Sequence, residues 1–474
     1  MRSRRPGPPR RALLPAALLL LVTACGGRPE PAARPGAAGA HDPLFPGLGN
    51  DGYHVRHYGL TLDYEPADNR LSGTAVITAR AEQRLSAFNL DLKGLTVRSA
   101  RVDGEPVRTS RKGSELTVEL NKPVDRNRTF ETTVVYDGKP QTVEDADGST
   151  EGWVRTEHGA VGLGEPAGSM AWFPGNHHPS DKATYDIAVT VPAGLTAVAN
   201  GELQRTEAKG PEGARRTTFT WHTGEPMASY LASVAVGRFE VTTSRTAKGL
   251  PVYIAAHPGE AEAAARVAKA LPGILDWESG LFGPYPFSST GAVIDRNPRV
   301  GYELETQPKP YFHAAPTDKL VVHELAHQWF GNSLTPGRWS DMWLSEGFAQ
   351  YTEWMWEEKN GGRSVRQIFD DYYDGKDPES KGADGETIWD FPPAGPSAET
   401  VSGLPVYGRG AMVLHKLREK LGDREFFGLV RDWAAQYRFQ NVSTDGFVEF
   451  CEDRGDVGDV FDVWLRGKGR PARR

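Results

Sequence analysis

The sequence predicts two folded parts, an all-β domain followed by a mixed α+β domain. Its 474 residues exceed what one ordinary hydrophobic core accommodates. Over residues 46–246, short runs place β-branched or aromatic residues at every second position, with turn signals between the runs. Over residues 247–474, apolar residues recur at the three-and-four spacing of amphipathic helices. We therefore expect packed antiparallel sheets first and a helical domain with a few strands second.

The N-terminal segment has the features of a secretory signal peptide. Residues 1–24 contain five arginines, no acid and an apolar run that is too short to span a bilayer of about 30 Å. The tetrapeptide Val-Thr-Ala-Cys that ends at Cys25 resembles the lipobox of bacterial lipoproteins, in which the cysteine is lipidated; cleavage without lipidation is the alternative. Residues 25–45 are rich in Gly, Pro and Ala, which predicts a lipidated flexible tether. We expect a protein anchored on the outer face of the cell membrane.

Composition excludes two classes of protein. The formal net charge of -7 argues against a nucleic-acid partner, which would require a basic face. Cys25 and Cys451 are the two cysteines of the sequence, so a disulfide framework is excluded. Cys451 lies in an apolar-periodic stretch and is predicted to be a buried core residue. The acidic loop EDADG (144–148) is interpreted as solvated surface, with a calcium site as the alternative.

Three residues form a candidate metal site. His323 and His327 lie four residues apart in a helical pattern, so both imidazoles can direct a nitrogen at one ion about 2.0–2.1 Å away. Glu346 follows His327 by nineteen residues, in a second helical stretch, and is predicted to be the third ligand. Such a set leaves one position open, as catalytic zinc sites do, although several divalent ions accept these ligands. Glu353 lies on the same helix face as Glu346 and is predicted to hold a ligand histidine, a surface ion pair being the alternative.

Glu324 is the candidate general base. It follows His323 directly and is therefore rotated by about 100° around the helix, which disfavours ligation of the same ion. From that position its carboxylate can take a proton from an attacking water and deliver it to a leaving amine.

The region around these residues resembles a known enzyme family. HELAHQWFGNSLTPGRWSDMWLSEGFAQY (323–351) is similar to the zinc site of the gluzincin aminopeptidases, the family of aminopeptidase N and the leukotriene hydrolase. YELET (302–306) stands where the family has its exopeptidase motif, and YGRG (407–410) resembles a later Tyr-x-Lys/Arg-Gly motif. Glu165 falls at the place of the family residue that binds the free amine of the substrate.

The resemblance implies a fold, a cofactor and an activity. Residues 46–246 would form a saddle-like β domain and residues 247–474 a thermolysin-like catalytic domain. One zinc ion per chain would be held by His323, His327 and Glu346. The expected activity is removal of N-terminal residues from peptides that have a free N-terminus.

The resemblance also assigns roles to residues around the metal. Glu165 and Glu305 would bind the substrate's ammonium group, which an internal peptide lacks. Tyr302 and Leu304 would contact the substrate beside them. The Tyr407 phenol would donate to the oxyanion that forms during hydrolysis.

Departures from the family pattern keep alternatives open. Thr306 and Glu303 replace the usual residues of the exopeptidase motif, so the specificity pocket is expected to differ. The long helical C-terminal domain of larger relatives has no counterpart before Arg474, which predicts a more open site. The alternatives are a zinc endopeptidase of the same fold, a catalytically silent tethered peptide-binding protein, and an epoxide hydrolase of the leukotriene type.

Overall fold

A computed structural model describes residues 32–382 and 385–473, together with Gly7. Apart from Gly7, the predicted signal peptide over residues 1–24 lies outside the described residues, as does the predicted lipidation site Cys25. Within the described residues, no helix combines the length and the apolar character that crossing a membrane requires.

The first part of the described chain consists of β-sheets. Its strands in chain order are β1 (Arg34–Pro35), β2 (Tyr53–Glu65), β3 (Arg70–Ala81), β4 (Leu85–Asp91), β5 (Thr96–Val102), β6 (Glu105–Pro106), β7 (Arg108–Lys112), β8 (Glu115–Val124), β9 (Thr129–Gly138), β10 (Thr142–Glu144), β11 (Thr150–Arg155), β12 (Ala160–Leu163), β13 (Lys182–Pro192), β14 (Thr196–Ala199), β15 (Glu202–Lys209), β16 (Arg216–Ala228) and β17 (Val234–Gly237).

These strands form one large sheet and two smaller ones. The large sheet has the order β15-β16-β13-β2-β3-β9-β5-β6, and the smaller sheets have the orders β1-β4-β8-β7 and β10-β11-β12-β17-β14. Neighbours in the large sheet are antiparallel except β13 and β2, which are parallel. Along β3, buried and partly exposed residues alternate, and Leu71, Ala75 and Ile77 lie in the core. The alternating pattern therefore folds as predicted, because every second side chain leaves water.

The second part of the described chain is a mixed α+β domain. Its strands are β18 (Glu240–Arg245), β19 (Pro251–Ala256), β20 (Thr290–Ile294), β21 (Tyr311–Phe312), β22 (Thr335–Pro336) and β23 (Asn441–Val442). Its helices are α1 (Ala261–Phe282), α2 (Asp318–Ala326), α3 (Trp343–Lys359), α4 (Val365–Asp374), α5 (Gly410–Leu421), α6 (Asp423–Gln436), α7 (Thr444–Glu452) and α8 (Gly458–Val460). Cys451 in α7 is buried, as predicted. The order of an all-β part followed by an α+β part matches the predicted fold class.

The boundary between the two parts lies slightly earlier than residue 246. Strand β18 pairs antiparallel with β19, with Glu240 opposite Ala256. A division between residues 246 and 247 would separate the two strands of this hairpin. The hairpin belongs to the sheet β18-β19-β20-β21, so we place the start of the second part at about Glu240.

The predicted flexible tether over residues 25–45 is wrong for its second half. Strand β1 pairs parallel with β4, and the buried Asp42 Oδ1 accepts from the Leu44 backbone N–H at 2.8 Å. Asp42 Oδ2 also accepts from the Trp339 N–H at 3.0 Å, and the Phe45 ring packs edge-on against Trp339. Composition alone could not reveal this packing, since the partners lie far away in the sequence.

Candidate active site

Helices α2 and α3 bring the three predicted metal ligands together. His323 lies in α2, His327 directly follows the end of α2, and Glu346 lies in the first turn of α3. The Nε2 atoms of His323 and His327 lie 3.4 and 3.3 Å from the same oxygen, Glu346 Oε2. All three side chains are buried.

The geometry of this cluster fits a zinc ion. Ligands about 2.0–2.1 Å from a tetrahedral ion lie roughly 3.4 Å from each other. The observed separations between the histidine nitrogens and Glu346 Oε2 match that value. Two imidazoles and one carboxylate are also the ligand set of catalytic zinc sites in which one position stays open. His323, His327 and Glu346 could therefore hold the ion, as predicted from their spacing.

The Nδ1 atom of each imidazole, which does not face Glu346, contacts a polar group. His323 Nδ1 lies 2.6 Å from Glu353 Oε1, which is the contact predicted for Glu353. His327 Nδ1 lies 3.0 Å from Ser345 Oγ and 3.1 Å from the Phe330 carbonyl oxygen. These contacts leave Nε2 of both rings directed at Glu346, and such partners orient ligands and raise their basicity.

A glycine permits the close approach of Ser345 to His327. Gly331 has a φ of +117°, and a Cβ there would lie 2.4 Å from Ser345 Oγ. A larger residue would therefore displace the hydroxyl that contacts the imidazole. This requirement explains the glycine that follows α2 in the sequence.

Protons and metal compete for the ligand cluster. Burial opposes the charged imidazole, but the Glu346 carboxylate outweighs it and raises the pKa of His327 to about 9. Burial also opposes the Glu346 carboxylate, yet His327 and His323 lower its pKa to about 2. Metal binding must deprotonate the histidines, so affinity for the metal is expected to rise with pH.

Glu324 faces the same pocket as the metal ligands. Its side chain is 5% exposed, and within the described residues its Oε2 has no hydrogen-bond partner. Burial raises the pKa of Glu324 to about 8, although the two neighbouring histidines act in the opposite direction. A carboxylate with a pKa near neutrality is suited to take up and release a proton.

Glu165 and Glu305 meet in this pocket, although they come from different domains. Both side chains line it, and their carboxyl groups lie close enough to interact. Burial and mutual repulsion raise the pKa of Glu165 well above its usual range, and burial also raises the pKa of Glu305. Within the described residues, Glu305 Oε1 has no hydrogen-bond partner. A cation placed between the two carboxyls would relieve this repulsion.

Two residues that sequence reasoning missed hold the backbone of Glu305. Asn332 Nδ2 donates to the Glu305 carbonyl oxygen at 2.5 Å, and Gln328 Nε2 approaches it at 3.3 Å. Gln328 directly follows His327 in the sequence, and Asn332 follows His327 by five residues, in the stretch His-Gln-Trp-Phe-Gly-Asn. Their position close to His327 was the sequence feature from which a role at the site could have been inferred. Their buried side-chain amides connect the segment 302–306 to the candidate metal site.

A buried lysine joins the β domain to the metal site. Lys182 in β13 donates from Nζ to the carbonyl oxygens of Asn332 and Ser333, at 3.0 and 2.9 Å. Burial lowers the pKa of Lys182 to about 7. The sequence offered no local signal for this contact, because its two sides lie about 150 residues apart.

Tyr407 lies beside the metal ligands in a π-helical turn, Pro405–Arg409. Its ring is nearly parallel to that of His323, with the centroids 6.2 Å apart. Burial raises the pKa of Tyr407 well above its usual range, and the carboxylates of the pocket add to the shift. The phenol therefore remains a donor near neutral pH. Arg409 is fully buried and anchors this turn by donating to the Trp464 carbonyl oxygen at 2.8 Å.

The pocket has a volume of about 160 Å³. Its lining differs from the sequence predictions in two respects. Of the two residues predicted to contact the substrate, Tyr302 lines the pocket and Leu304 does not. Leu304 is 1% exposed and pairs through its backbone with Tyr311, whereas its neighbours Glu303 and Glu305 line the pocket. The acidic loop interpreted as solvated surface also reaches the site, since Asp145 and Asp147 line the pocket.

The sequence matches two family descriptions that correspond to the two parts of the fold. Residues 54–231 match the "Peptidase M1 N-terminal domain", and residues 311–464 match the "Peptidase family M1 domain". Together these matches cover well over half of the chain.

Curated relatives are similar over most of this chain. Mouse glutamyl aminopeptidase is 24% identical over 362 residues, which is 72% of this chain and 36% of the relative. Human glutamyl aminopeptidase is 26% identical over 353 residues, which is 70% of this chain and 36% of the relative. The matched region thus spans about a third of the length of these relatives.

A solved structure is similar over nearly its whole length. The M1 zinc metallopeptidase from Deinococcus radiodurans superposes with a TM-score of 0.81 at 29% identity, covering 91% of this chain and 97% of that one. A mutant of the Deinococcus protein bound to a Tyr-Ser-Ala substrate superposes with a TM-score of 0.79.

These similarities agree with the architecture and with the ligand cluster. The first family match falls within the β-sheets, and the second contains His323, His327 and Glu346. The predicted fold class, an all-β domain followed by an α+β catalytic domain, is confirmed. The chain therefore belongs to the M1 peptidase family of zinc metallopeptidases.

Proposed function

We propose that this protein is an aminopeptidase that hydrolyses the N-terminal residue from peptides, with one zinc ion per chain. The main support for the proposal is that one pocket contains three groups of side chains. These are the His-His-Glu cluster, the unpaired Glu324, and the carboxyls of Glu165 and Glu305. Within the described residues, His323, His327 and Glu346 are the group of side chains arranged to hold a metal. The family membership supports peptide hydrolysis as the reaction class.

The protein's own residues supply the proton transfers. Zinc bound at the cluster would polarise the scissile carbonyl and lower the pKa of water. Glu324 then accepts the proton of the attacking water at its carboxylate and returns it to the nitrogen of the leaving peptide. Tyr407 donates a hydrogen bond to the oxygen on which negative charge develops. Both side chains line the pocket that contains the ligand cluster.

Glu165 and Glu305 explain why the N-terminus is required. A substrate ammonium group between these carboxyls would form charge-assisted hydrogen bonds with both. An internal peptide offers only a neutral N–H, and it would leave two buried acids in mutual repulsion. Burial is the main cause of the raised pKa of both groups, and the charge of Glu305 adds to the shift of Glu165. Exopeptidase specificity is therefore favoured over endopeptidase activity.

The test compares free and blocked substrates. Wild type, Glu324→Gln and the surface control Glu262→Gln would be assayed on alanyl- and leucyl-4-nitroanilides and on their N-acetylated forms. Glu262 is exposed on α1, so the control makes the same chemical change away from the pocket. We expect cleavage of the free-amine substrates only, at least about 10³-fold loss of kcat in Glu324→Gln with its zinc content unchanged, and full activity in the control.

Other outcomes of this assay would refute the proposal. Equal cleavage of the N-acetylated substrates would indicate an endopeptidase and refute the amine-binding role of Glu165 and Glu305. A zinc-loaded protein that cleaves none of the substrates would indicate a peptide-binding protein. Metal analysis should find one equivalent of zinc per chain.

We also propose that Cys25 carries a lipid and holds the protein on the outer face of the cell membrane. The Val-Thr-Ala-Cys sequence after an apolar leader supports lipidation. Anchoring by two or more acyl chains would be stable, whereas a single chain would bind reversibly. The Cys25→Ala variant should leave the membrane fraction and lose metabolic labelling by a fatty acid. Retention of both properties in the variant would refute the anchor.

A further inference from the structure

The lining of the active-site pocket is strongly acidic. Among the described residues that line the pocket there is no lysine or arginine. The carboxylate residues that line it are Asp145, Asp147, Glu165, Glu303, Glu305, Glu324 and Glu346. The proposed function accounts for four of them: a metal ligand, a general base and the two residues that bind the ammonium group. Asp145, Asp147 and Glu303 are left without a role.

Asp145 and Asp147 differ from Glu303 in lacking a basic partner. Glu303 Oε1 lies 3.1 Å from His313 Nδ1. Within the described part of the chain, neither aspartate forms an ion pair with a basic side chain. Asp147 Oδ1 accepts from the Ser149 backbone N–H at 2.8 Å, a contact within the loop itself. Burial and the charge of Asp147 both raise the pKa of Asp145. A cation would therefore be favoured at this position.

A hydrogen bond fixes the acidic loop beside the exopeptidase segment. The loop joins β10 to β11, and the Tyr302 phenol donates to the carbonyl oxygen of Thr150 at 3.2 Å. After burial, the charges of Glu151, Glu165, Asp147 and Asp145 contribute to the raised pKa of Tyr302. The two aspartates and Glu165 thus line the same pocket as Tyr302 and act on its hydroxyl group.

A separate observation concerns a buried carboxyl oxygen in this pocket that has no hydrogen-bond partner. Glu305 is 4% exposed, and within the described residues its Oε1 has no hydrogen-bond partner although the residue lines the pocket. Such a buried, unpartnered carboxyl indicates a ligand that donates hydrogen bonds. The ammonium group of a substrate would occupy that position. The side chain of the substrate's N-terminal residue would then extend toward the other lining residues, which include Asp145 and Asp147.

We propose that Asp145 and Asp147 make the enzyme selective for substrates whose N-terminal residue is lysine or arginine. The long stems of these residues place a positive charge well away from the α-amine, which Glu165 and Glu305 already engage. An acidic side chain in the same position would add a further negative charge to a pocket whose described lining residues include no lysine or arginine. This inference rests on the proposed aminopeptidase function.

The test isolates the charge of the substrate side chain. Arginyl- and citrullinyl-4-nitroanilide have nearly the same shape, but citrulline is neutral. The ratio of their kcat/KM values would be measured for wild type, Asp145→Asn, Asp147→Asn and the double variant, together with alanyl-, leucyl- and glutamyl-4-nitroanilide. Glu144→Gln is the matched control, because Glu144 belongs to the same hairpin but does not line the pocket.

We expect a wild-type arginine-to-citrulline ratio above about tenfold, and each Asp→Asn substitution should lower it by about two- to fivefold, the range for partly exposed ion pairs. Added salt should also lower the ratio. The Glu144→Gln control should keep it.

Several results would overturn the inference. A wild-type arginine-to-citrulline ratio near one would do so, as would unchanged ratios in both aspartate variants. An equal drop of the ratio in Glu144→Gln, or glutamyl-4-nitroanilide as the best substrate, would also overturn it. The wild-type ratio tests the preference for a positive charge even if a variant does not fold. Cleavage of the alanyl and leucyl substrates with a ratio near one would refute this inference alone. Cleavage of none of the substrates would refute the proposed function together with it.

Discussion

The contact between Glu353 and His323 predicts that Glu353→Gln weakens zinc binding. Glu353 is 6% exposed, and its Oε1 lies 2.6 Å from His323 Nδ1. Its Oε2 accepts from Gln350 Nε2 at 2.9 Å and lies 3.0 Å from Lys319 Nζ. The glutamine variant preserves the shape of the side chain and one acceptor oxygen. It removes the negative charge that makes the imidazole a stronger ligand.

The expected size of the effect follows from these contacts. Loss of a carboxylate behind a ligand histidine typically costs about 10–100-fold in metal affinity. The Glu353 carboxylate is buried, which favours the upper half of that range because little water screens the interaction. Lys319 loses a partner, but its side chain is 37% exposed and keeps its contact with Glu379, so this loss adds little. We therefore expect about 30- to 100-fold weaker binding, or about 2–2.7 kcal/mol.

The assay is a competition for zinc between the apoprotein and a chromophoric chelator at fixed pH. Glu357→Gln is the matched control, because Glu357 lies one turn further along α3 and pairs with Arg363 instead of a metal ligand. Its zinc affinity should equal that of wild type. A loss of less than about twofold in Glu353→Gln, or an equal loss in both variants, would refute a role for Glu353 in supporting the metal.

Three further predictions concern catalysis, pH and packing. Tyr407→Phe should lower kcat by about 10²–10³-fold with zinc content unchanged, and a loss below about threefold would exclude the phenol as an oxyanion donor. Burial raises the pKa of Glu151 from 4.5 to about 8, so its contribution to stability is present below pH 4.5 and is lost as pH rises through about 8. Glu151→Gln should therefore have a smaller difference in Tm between pH 5 and pH 8 than wild type. A difference equal to that of wild type would show that Glu151 does not contribute to the pH dependence of stability. A Cβ at Gly347 would lie 2.9 Å from the Gly410 carbonyl carbon, so Gly347→Val should lower the free energy of unfolding by about 1–3 kcal/mol or more, as denaturant titration would show.

The metal site could be predicted from the sequence because its determinants are local. The spacing of His323 and His327 fixes their positions on one helix, and the distance along the chain to Glu346 allows a second helix to face the first. The alternation of strands such as β3 likewise indicates which side chains are buried. Periodicity within one element is set by backbone geometry, so it is readable without knowledge of the fold.

Other features depended on contacts between distant segments. The predicted flexible segment before residue 45 packs because Asp42 meets the backbone of Trp339. Leu304 leaves the pocket because its segment pairs with Tyr311. Neither result follows from composition or from a resemblance, since each depends on a partner that only folding brings near.

The sequence by itself therefore determined the two-part architecture, the candidate metal ligands and the candidate general base. The tertiary structure decided what surrounds them: the pairing of Glu165 with Glu305, the buried Lys182 at the end of the metal-binding segment, and the position of Asp145 and Asp147 in the pocket lining. Local spacing specifies which face of a helix or strand a residue occupies. The charges that meet across a pocket depend instead on how separate sheets and helices pack, because electrostatic interactions act through space and not along the chain.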